Sequence, residues 1–227
     1  MAGNLDDALA HYGSLAAQYD DATRLINGIR QRAVAALQLV AGETVLDAGC
    51  GTGYCFTAIQ EAIGPTGRLI GFEPSPQMLA IAHERVRARG WTNAQLLHAS
   101  GHQAELPHSP DAVLFSYTHD MIRSPKTLEK LFAQCKPGAR VACTSTKLYA
   151  PWFAPANWWL RLRHKGYITD FEGMEAPWSY LAEYLDDFQL KTGPLTQHYI
   201  ATGCLNPAYA STQATNPAST PATTQSA

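Results

Sequence analysis

Charge is what this 227-residue chain has least of: 17 Lys and Arg and 19 Asp and Glu make up only 16% of it, against roughly 25% in an average globular protein. The two signs nearly cancel, leaving a formal net charge of -2. There is thus no excess of basic side chains to meet nucleic-acid phosphates, and a small-molecule partner is expected instead. Long apolar runs are also missing. No stretch reaches the roughly 18 consecutive apolar residues that a membrane span needs. Asp6 and Asp7 stand where an export signal has basic residues, and no apolar segment follows them. The five cysteines, Cys50, Cys55, Cys135, Cys143 and Cys204, form no CxxC pair, which argues against a disulfide frame and a zinc site. His98 and His102 are spaced as HxxxH but fall where a strand runs out into a loop and share no helix face, and the other histidines show no such spacing, so no metal is expected. These absences predict a soluble protein of a reducing cytoplasm and leave room for a homodimer.

What is present suits one core. At 46% hydrophobic, a chain of this length forms a single domain more readily than two. Apolar residues from Leu15 to Leu39 recur at helical spacing and predict N-terminal helices over 5–40. Thr44-Val45-Leu46 reads as a strand ending at Asp47, and Phe56, Ile59 and Ile63 as the face of a helix that Gly64-Pro65 stops. Arg68–Glu73 reads as a second strand, and Pro74 and Pro76 open a helix bearing Met78, Leu79, Ile81 and Val86. Strands over 94–99, 112–117 and 139–144, a helix over 126–135 and two closing strands over 188–191 and 197–202 complete the alternation. Such alternation predicts a doubly wound, mostly parallel α/β sheet with helices on both faces and ligands at the strand C-termini. Over 149–180 the periodicity fails and aromatics crowd in, which reads as an inserted cap. Residues 206–227 are nearly all Asn, Pro, Ala, Ser, Thr and Gln and are expected to be a disordered tail beyond a domain spanning 1–205.

The chemistry concentrates where the first strand meets its helix. Gly49, Gly51 and Gly53 supply a backbone that a cofactor can approach closely. They depart from the dinucleotide pattern G-x-G-x-x-G because Tyr54 follows and the third glycine falls one place early. Asp47 would repel a pyrophosphate but suits an ammonium or sulfonium. Glu73 follows it by little more than the roughly 20 residues at which an acid can accept both ribose hydroxyls.

Val45–Gly53, together with Glu73-Pro74-Ser75-Pro76-Gln77-Met78-Leu79, resembles the class I, Rossmann-like S-adenosylmethionine-dependent methyltransferases of small-molecule type, and the likeness covers nearly all of 12–147. The resemblance implies seven strands in the order 3-2-1-4-5-7-6 and S-adenosylmethionine as cofactor. It implies that Gly49 and Gly51 contact the methionyl part, Asp47 the amino group, Glu73 and Pro74 the ribose, and Met78 the adenine. It also implies an adenine contact just after the third strand, at Ser100, Gly101 or His102, although the usual Asp is missing from Ala99-Ser100-Gly101-His102, and Ser116 and Tyr117 fall on the remaining cofactor positions. Tyr12 and Tyr19 are similar to the tyrosines of an opening helix that covers the cofactor and the substrate; seven residues apart, they suit core packing equally well.

On the acceptor side the strand ending Ser116-Tyr117-Thr118-His119-Asp120 offers His119, which titrates in the useful range, as a catalytic base or as a group that orients the substrate. Trp152, Trp158 and Tyr167 are the expected substrate contacts of the cap. Its aromatics suit a flat or cationic acceptor, the cap's own core, or, with Arg161, Arg163 and Lys165, a membrane surface. The expected function is methyl transfer to a metabolite or natural product. The alternatives are N-methylation of a lipid or phosphoethanolamine, a non-catalytic cofactor-binding module, and a nicotinamide dehydrogenase.

Overall fold

The computed structural model describes residues 19–149, 151–153, 157–158, 173–193 and 195–210. Its helices are α1 (Tyr19–Ala22), α2 (Asn27–Ala36), α3 (Phe56–Ile63), α4 (Pro76–Ala88), α5 (His119–Ile122), α6 (Pro125–Phe132) and α7 (Ser179–Glu183). Its strands are β1 (Thr44–Ala48), β2 (Arg68–Glu73), β3 (Ala94–His98), β4 (Ala112–Ser116), β5 (Arg140–Thr146), β6 (Leu185–Lys191) and β7 (His198–Leu205).

The strands form one seven-stranded sheet in the order β3-β2-β1-β4-β5-β7-β6. β1 to β5 run parallel to their neighbours, and β7 is antiparallel to both β5 and β6. β1 is buried along its whole length, as a central parallel strand with helices on both faces must be. Alternation along the strands divides the core in two. Val45, Leu69, Leu114 and Ala142 face Ala33, Val34, Leu37, Phe56 and Ile59 on one side. Leu46, Ile70, Phe72, Val113, Phe115 and Val141 face Leu128, Leu131, Phe132 and Tyr199 on the other.

Helix starts follow their capping residues. Ser75 Oγ accepts from the Met78 N–H at 3.4 Å and Ser124 Oγ from the Thr127 N–H at 3.3 Å, each with proline in the first turn. The chain moves from the β3 edge back across β1 to lay down β4, so β1 and β4 flank the point where strand order reverses. A crevice opens there at the strand C-termini.

Several expected boundaries move. β4 ends at Ser116, because Tyr117 takes φ 61° and leaves the extended conformation. His119 accordingly starts the short helix α5 and does not end a strand. The helix expected over 126–135 stops at Phe132, short of Pro137. β5 continues to Thr146 because Ser145 and Thr146 pair with Tyr199 and His198. β6 begins at Leu185 and crosses an irregularity between Asp186 and Gln189, where Asp187 has φ 52°.

The C-terminal part of the expected cap packs on the sheet. Trp178 stacks edge-on against Tyr199 with ring centroids 4.8 Å apart, and Met174 and Leu181 are buried. The folded body reaches past 205. A 3-10 turn over Pro207–Tyr209 sets Tyr209 against Tyr184 at 4.8 Å, and Asn206 donates to Asp186 at 3.0 Å. The tail beyond 210, Tyr12, Tyr167 and the basic run Arg161, Arg163 and Lys165 lie outside the described residues.

Candidate active site

A cavity of about 330 Å³ opens at the reversal point, within the size range of small-molecule sites. Gly49 forms part of its wall in a conformation with φ 69°. A Cβ there would fall 2.4 Å from Met121 Cε and 2.6 Å from Thr118 Cγ2, so the position accepts no side chain. Gly51, at φ 56°, would meet nothing within 4 Å: its bare backbone faces open space, the cradle a cofactor fills.

Glu73, at the end of β2, holds this loop. Its Oε2 accepts from the Gly51 N–H at 3.1 Å and its Oε1 from the Ser75 N–H at 2.9 Å. Burial raises its carboxyl, and these two donors pull it back. Each oxygen keeps further acceptor capacity toward the cavity.

Asp47 lies beneath the loop, 1% exposed and off the cavity wall. Burial lifts its carboxyl from 3.8 to about 7; Arg30 lowers it and Glu73 raises it further. Among the described residues its buried Oδ1 has no hydrogen-bond partner, and neither has Thr118 Oγ1 on the wall. Buried polar atoms are normally paired. An unpaired carboxylate oxygen beside an open cradle fits a cationic amino-acid group, so the residues present match an adenosyl sulfonium carrying an ammonium.

Arg30 has no counterpart in the expectations from sequence. Only 4% exposed, its guanidinium carbon lies 5.7 Å from the Tyr19 ring and 5.3 Å from each of the Tyr54 and Tyr117 rings, within cation–π range. It donates to Thr23 Oγ1 at 3.1 Å and lies 3.4 Å from the Tyr19 hydroxyl. One turn beyond Ile26 on the same helical face, it could have been recognised as inward-pointing. Asp20 ties α1 to the site: it accepts from Thr52 Oγ1 at 2.6 Å and pairs with Arg85 of α4.

Of the residues expected at the cofactor, Tyr19, Gly49, Gly51, Glu73, Pro74, Met78, Ser100, Gly101, Ser116 and Tyr117 all line the cavity. His119 lines it too. Its two ring nitrogens are both 3.0 Å from Ser145 Oγ, which puts that oxygen between the two lone-pair directions and along neither. Trp152 and Trp158 are 68% and 69% exposed and do not line the cavity. His102, the third candidate beside Ser100 and Gly101, is on the wall too, and Thr118, Asp120, Met121, Ser124 and Thr127 complete it without having been expected. Most of these sit on or beside α5, which at four residues is too short for periodicity to reveal.

At the far end, Tyr117 turns its hydroxyl to His198 Nδ1 at 3.1 Å. Burial pushes the Tyr117 phenol well above its ordinary range, while Arg30 pulls it down. Among the described residues no cluster of three His, Cys, Asp or Glu could hold a metal ion, and no helix is long and apolar enough to cross a membrane.

A seven-stranded sheet in this order, with a glycine loop after β1 and a carboxylate closing β2, is the Rossmann-like architecture of class I methyltransferases, the class whose cofactor is S-adenosylmethionine. Residues 45–138 match the methyltransferase domain family. It is 31% identical over 144 residues to a demethylmenaquinone methyltransferase of Oceanobacillus iheyensis, a match covering 60% of each chain. The chain therefore spans less than two thirds of that relative's length. Solved structures show the same fold. A SAM-dependent methyltransferase of Aquifex aeolicus aligns with TM-score 0.60 at 20% identity over 85% of this chain and 98% of its own. An O-methyltransferase family protein of Burkholderia thailandensis aligns with TM-score 0.67 at 13% identity over 91% and 64%.

Proposed function

We propose that the protein transfers the methyl group of S-adenosylmethionine to a small-molecule acceptor that enters beside His119. The observation that carries this reading is the pairing of an unoccluded glycine cradle at Gly51 with the partnerless Asp47 Oδ1 beneath it. The relatives at 31% identity are named for a methylated quinone precursor, which favours an aromatic ring carrying oxygen over an amine.

The cofactor, when bound, supplies an activated methyl on a cationic sulfur. Gly49 and Gly51 give it backbone, and Glu73 and Pro74 hold the ribose. Met78, Ser100 and Gly101 surround the adenine, Tyr19 covers the site, and Asp47 acts from below through its charge. Ser116 and Tyr117 lie toward the reacting end, with His119 positioning the acceptor. These residues contribute chiefly alignment and exclusion of water, which is what an in-line displacement asks of a protein.

The test is calorimetric titration with S-adenosylhomocysteine and with NAD, followed by transfer of labelled methyl to 1,4-dihydroxynaphthalene. Binding of the first ligand and not the second is expected. Preference for NAD would defeat the proposal.

A further inference from the structure

The acceptor end of the cavity is built from residues far apart in the chain. Tyr117 follows β4, and His198 opens β7, the strand that runs antiparallel to β5. A strand of reversed direction brings its first residue to the edge where its parallel neighbours end, so His198 stands level with Thr146 at the ligand-binding edge. The Tyr117 hydroxyl spans to His198 Nδ1 at 3.1 Å, while the tyrosine itself lines the cavity.

The backbone of Tyr117 is strained to permit this. A bulky residue at φ 61° is rare, and it is held there by its N–H, which donates to Thr144 O at 2.9 Å. Such outliers persist where the surroundings over-determine them, commonly at functional sites. Around the ring stand Arg30 of α2, at 5.3 Å from the centroid, Tyr19 of α1 and Tyr199 of β7. The Arg30 cation beside the phenol is thus placed to stabilise negative charge passing through it.

The geometry points to Tyr117 and His198 as a proton-accepting pair for an acceptor whose hydroxyl must ionise, such as a phenol or hydroquinone. This inference rests on the proposed methyl transfer and specifies its substrate class. The acceptor's O–H proton passes to Tyr117 Oη as the Tyr117 proton passes to His198 Nδ1. A neutral phenol and an imidazolium remain, which requires His198 to start as the tautomer protonated on Nε2. The electron pair left on the acceptor, at oxygen or at the conjugated ring carbon, forms the new bond to the methyl carbon, and the carbon–sulfur pair goes to sulfur. His198, half-buried at the sheet edge, then releases its proton to water.

The substitutions His198→Gln and Tyr117→Phe test this against a merely structural tie. Glutamine can accept the tyrosine's hydrogen bond but cannot take a proton. The probe is 4-nitrocatechol, whose anion absorbs in the visible, added to the complex with S-adenosylhomocysteine at a pH where the free compound is protonated. The wild type should bind it as the anion, and both variants as the neutral form. S-adenosylhomocysteine affinity should stay within about threefold, and kcat toward 1,4-dihydroxynaphthalene should fall about 10²-fold. Three results would each overturn the pair: neutral nitrocatechol in the wild type, wild-type kcat and spectrum in His198→Gln, or no turnover of hydroquinones by a protein that binds S-adenosylhomocysteine. Failure of the wild type to bind S-adenosylhomocysteine would instead strike the methyl-transfer reading, at the first titration.

Discussion

The two ends of the cavity are assembled over very different sequence distances. At the cofactor end, the contact that shapes the loop, from the Gly51 N–H to Glu73, spans 22 residues and joins neighbouring parallel strands. At the acceptor end, Tyr117 meets His198 across 81 residues and across an intervening strand. The near end is set by backbone and by Gly49, which admits no Cβ. The far end is set by side chains borrowed from elements that differ in direction. A short-range site can be written as a motif; a long-range one emerges only once the sheet has been ordered.

The contrast can be broken most directly at Glu73. Glu73→Ala removes the acceptor of two backbone N–H groups and the acid proposed to hold the ribose, and with charge-assisted hydrogen bonds at about 1.5 to 3 kcal/mol each, S-adenosylhomocysteine affinity should fall about 10²-fold or more by calorimetry. Unchanged affinity would mean that the near end is not built around this carboxylate. Next comes Gly49→Ala, which places a methyl within 2.6 Å of both Met121 and Thr118 at positive φ. Overpacking plus the conformational penalty should cost about 2 to 4 kcal/mol, seen as a lower urea midpoint. A neutral result would show that α5 yields.

Asp47 sharpens the comparison through pH. Burial raises its carboxyl from 3.8 to about 7, so its contribution to folding is complete below about pH 4 and is lost as pH rises through 7. The ligand-free protein should lose stability across that window in thermal melts. Cofactor binding should show the opposite trend, because a cationic ligand favours the ionised carboxylate: affinity should rise by up to about tenfold per unit as pH approaches 7 from below. Asp47→Asn should flatten both profiles, and a slope that survives the substitution would assign it to another group.

The smallest effects belong to the exposed aromatics. Trp152→Ala and Trp158→Ala should change stability by no more than about 0.5 kcal/mol and leave S-adenosylhomocysteine affinity alone. A drop in acceptor KM-dependent turnover without either change would bring the cap into the far end after all.

How much of this could be read from the residues follows the same division. The glycine loop and five cavity-lining positions, Gly49, Gly51, Glu73, Pro74 and Met78, were legible because Val45–Gly53 and Glu73–Leu79 are contiguous segments at the ends of neighbouring strands. Tyr117 was legible as a position and not as a conformation, since positive φ in a tyrosine has no local signature. His119 was placed on a strand because a four-residue helix carries no period. His198 was passed over as one histidine among eight: its partner depends on the pairing of Thr146 with His198, which no local pattern encodes. Trp178, counted with the cap, packs on Tyr199 for the same reason.

The reversed direction of β7 has one more outcome. The connection over 192–197 that joins β6 to β7 turns at the same edge as the cavity mouth, and its Thr192, Gly193 and Thr196 bond chiefly among themselves and to the His198 carbonyl. Lengthening or rewriting that small turn would reshape the substrate entrance while the adenosine-holding loop, on the opposite flank, went untouched. Surface edits at that hairpin would therefore act on the entrance beside His198 and leave the glycine loop as it is.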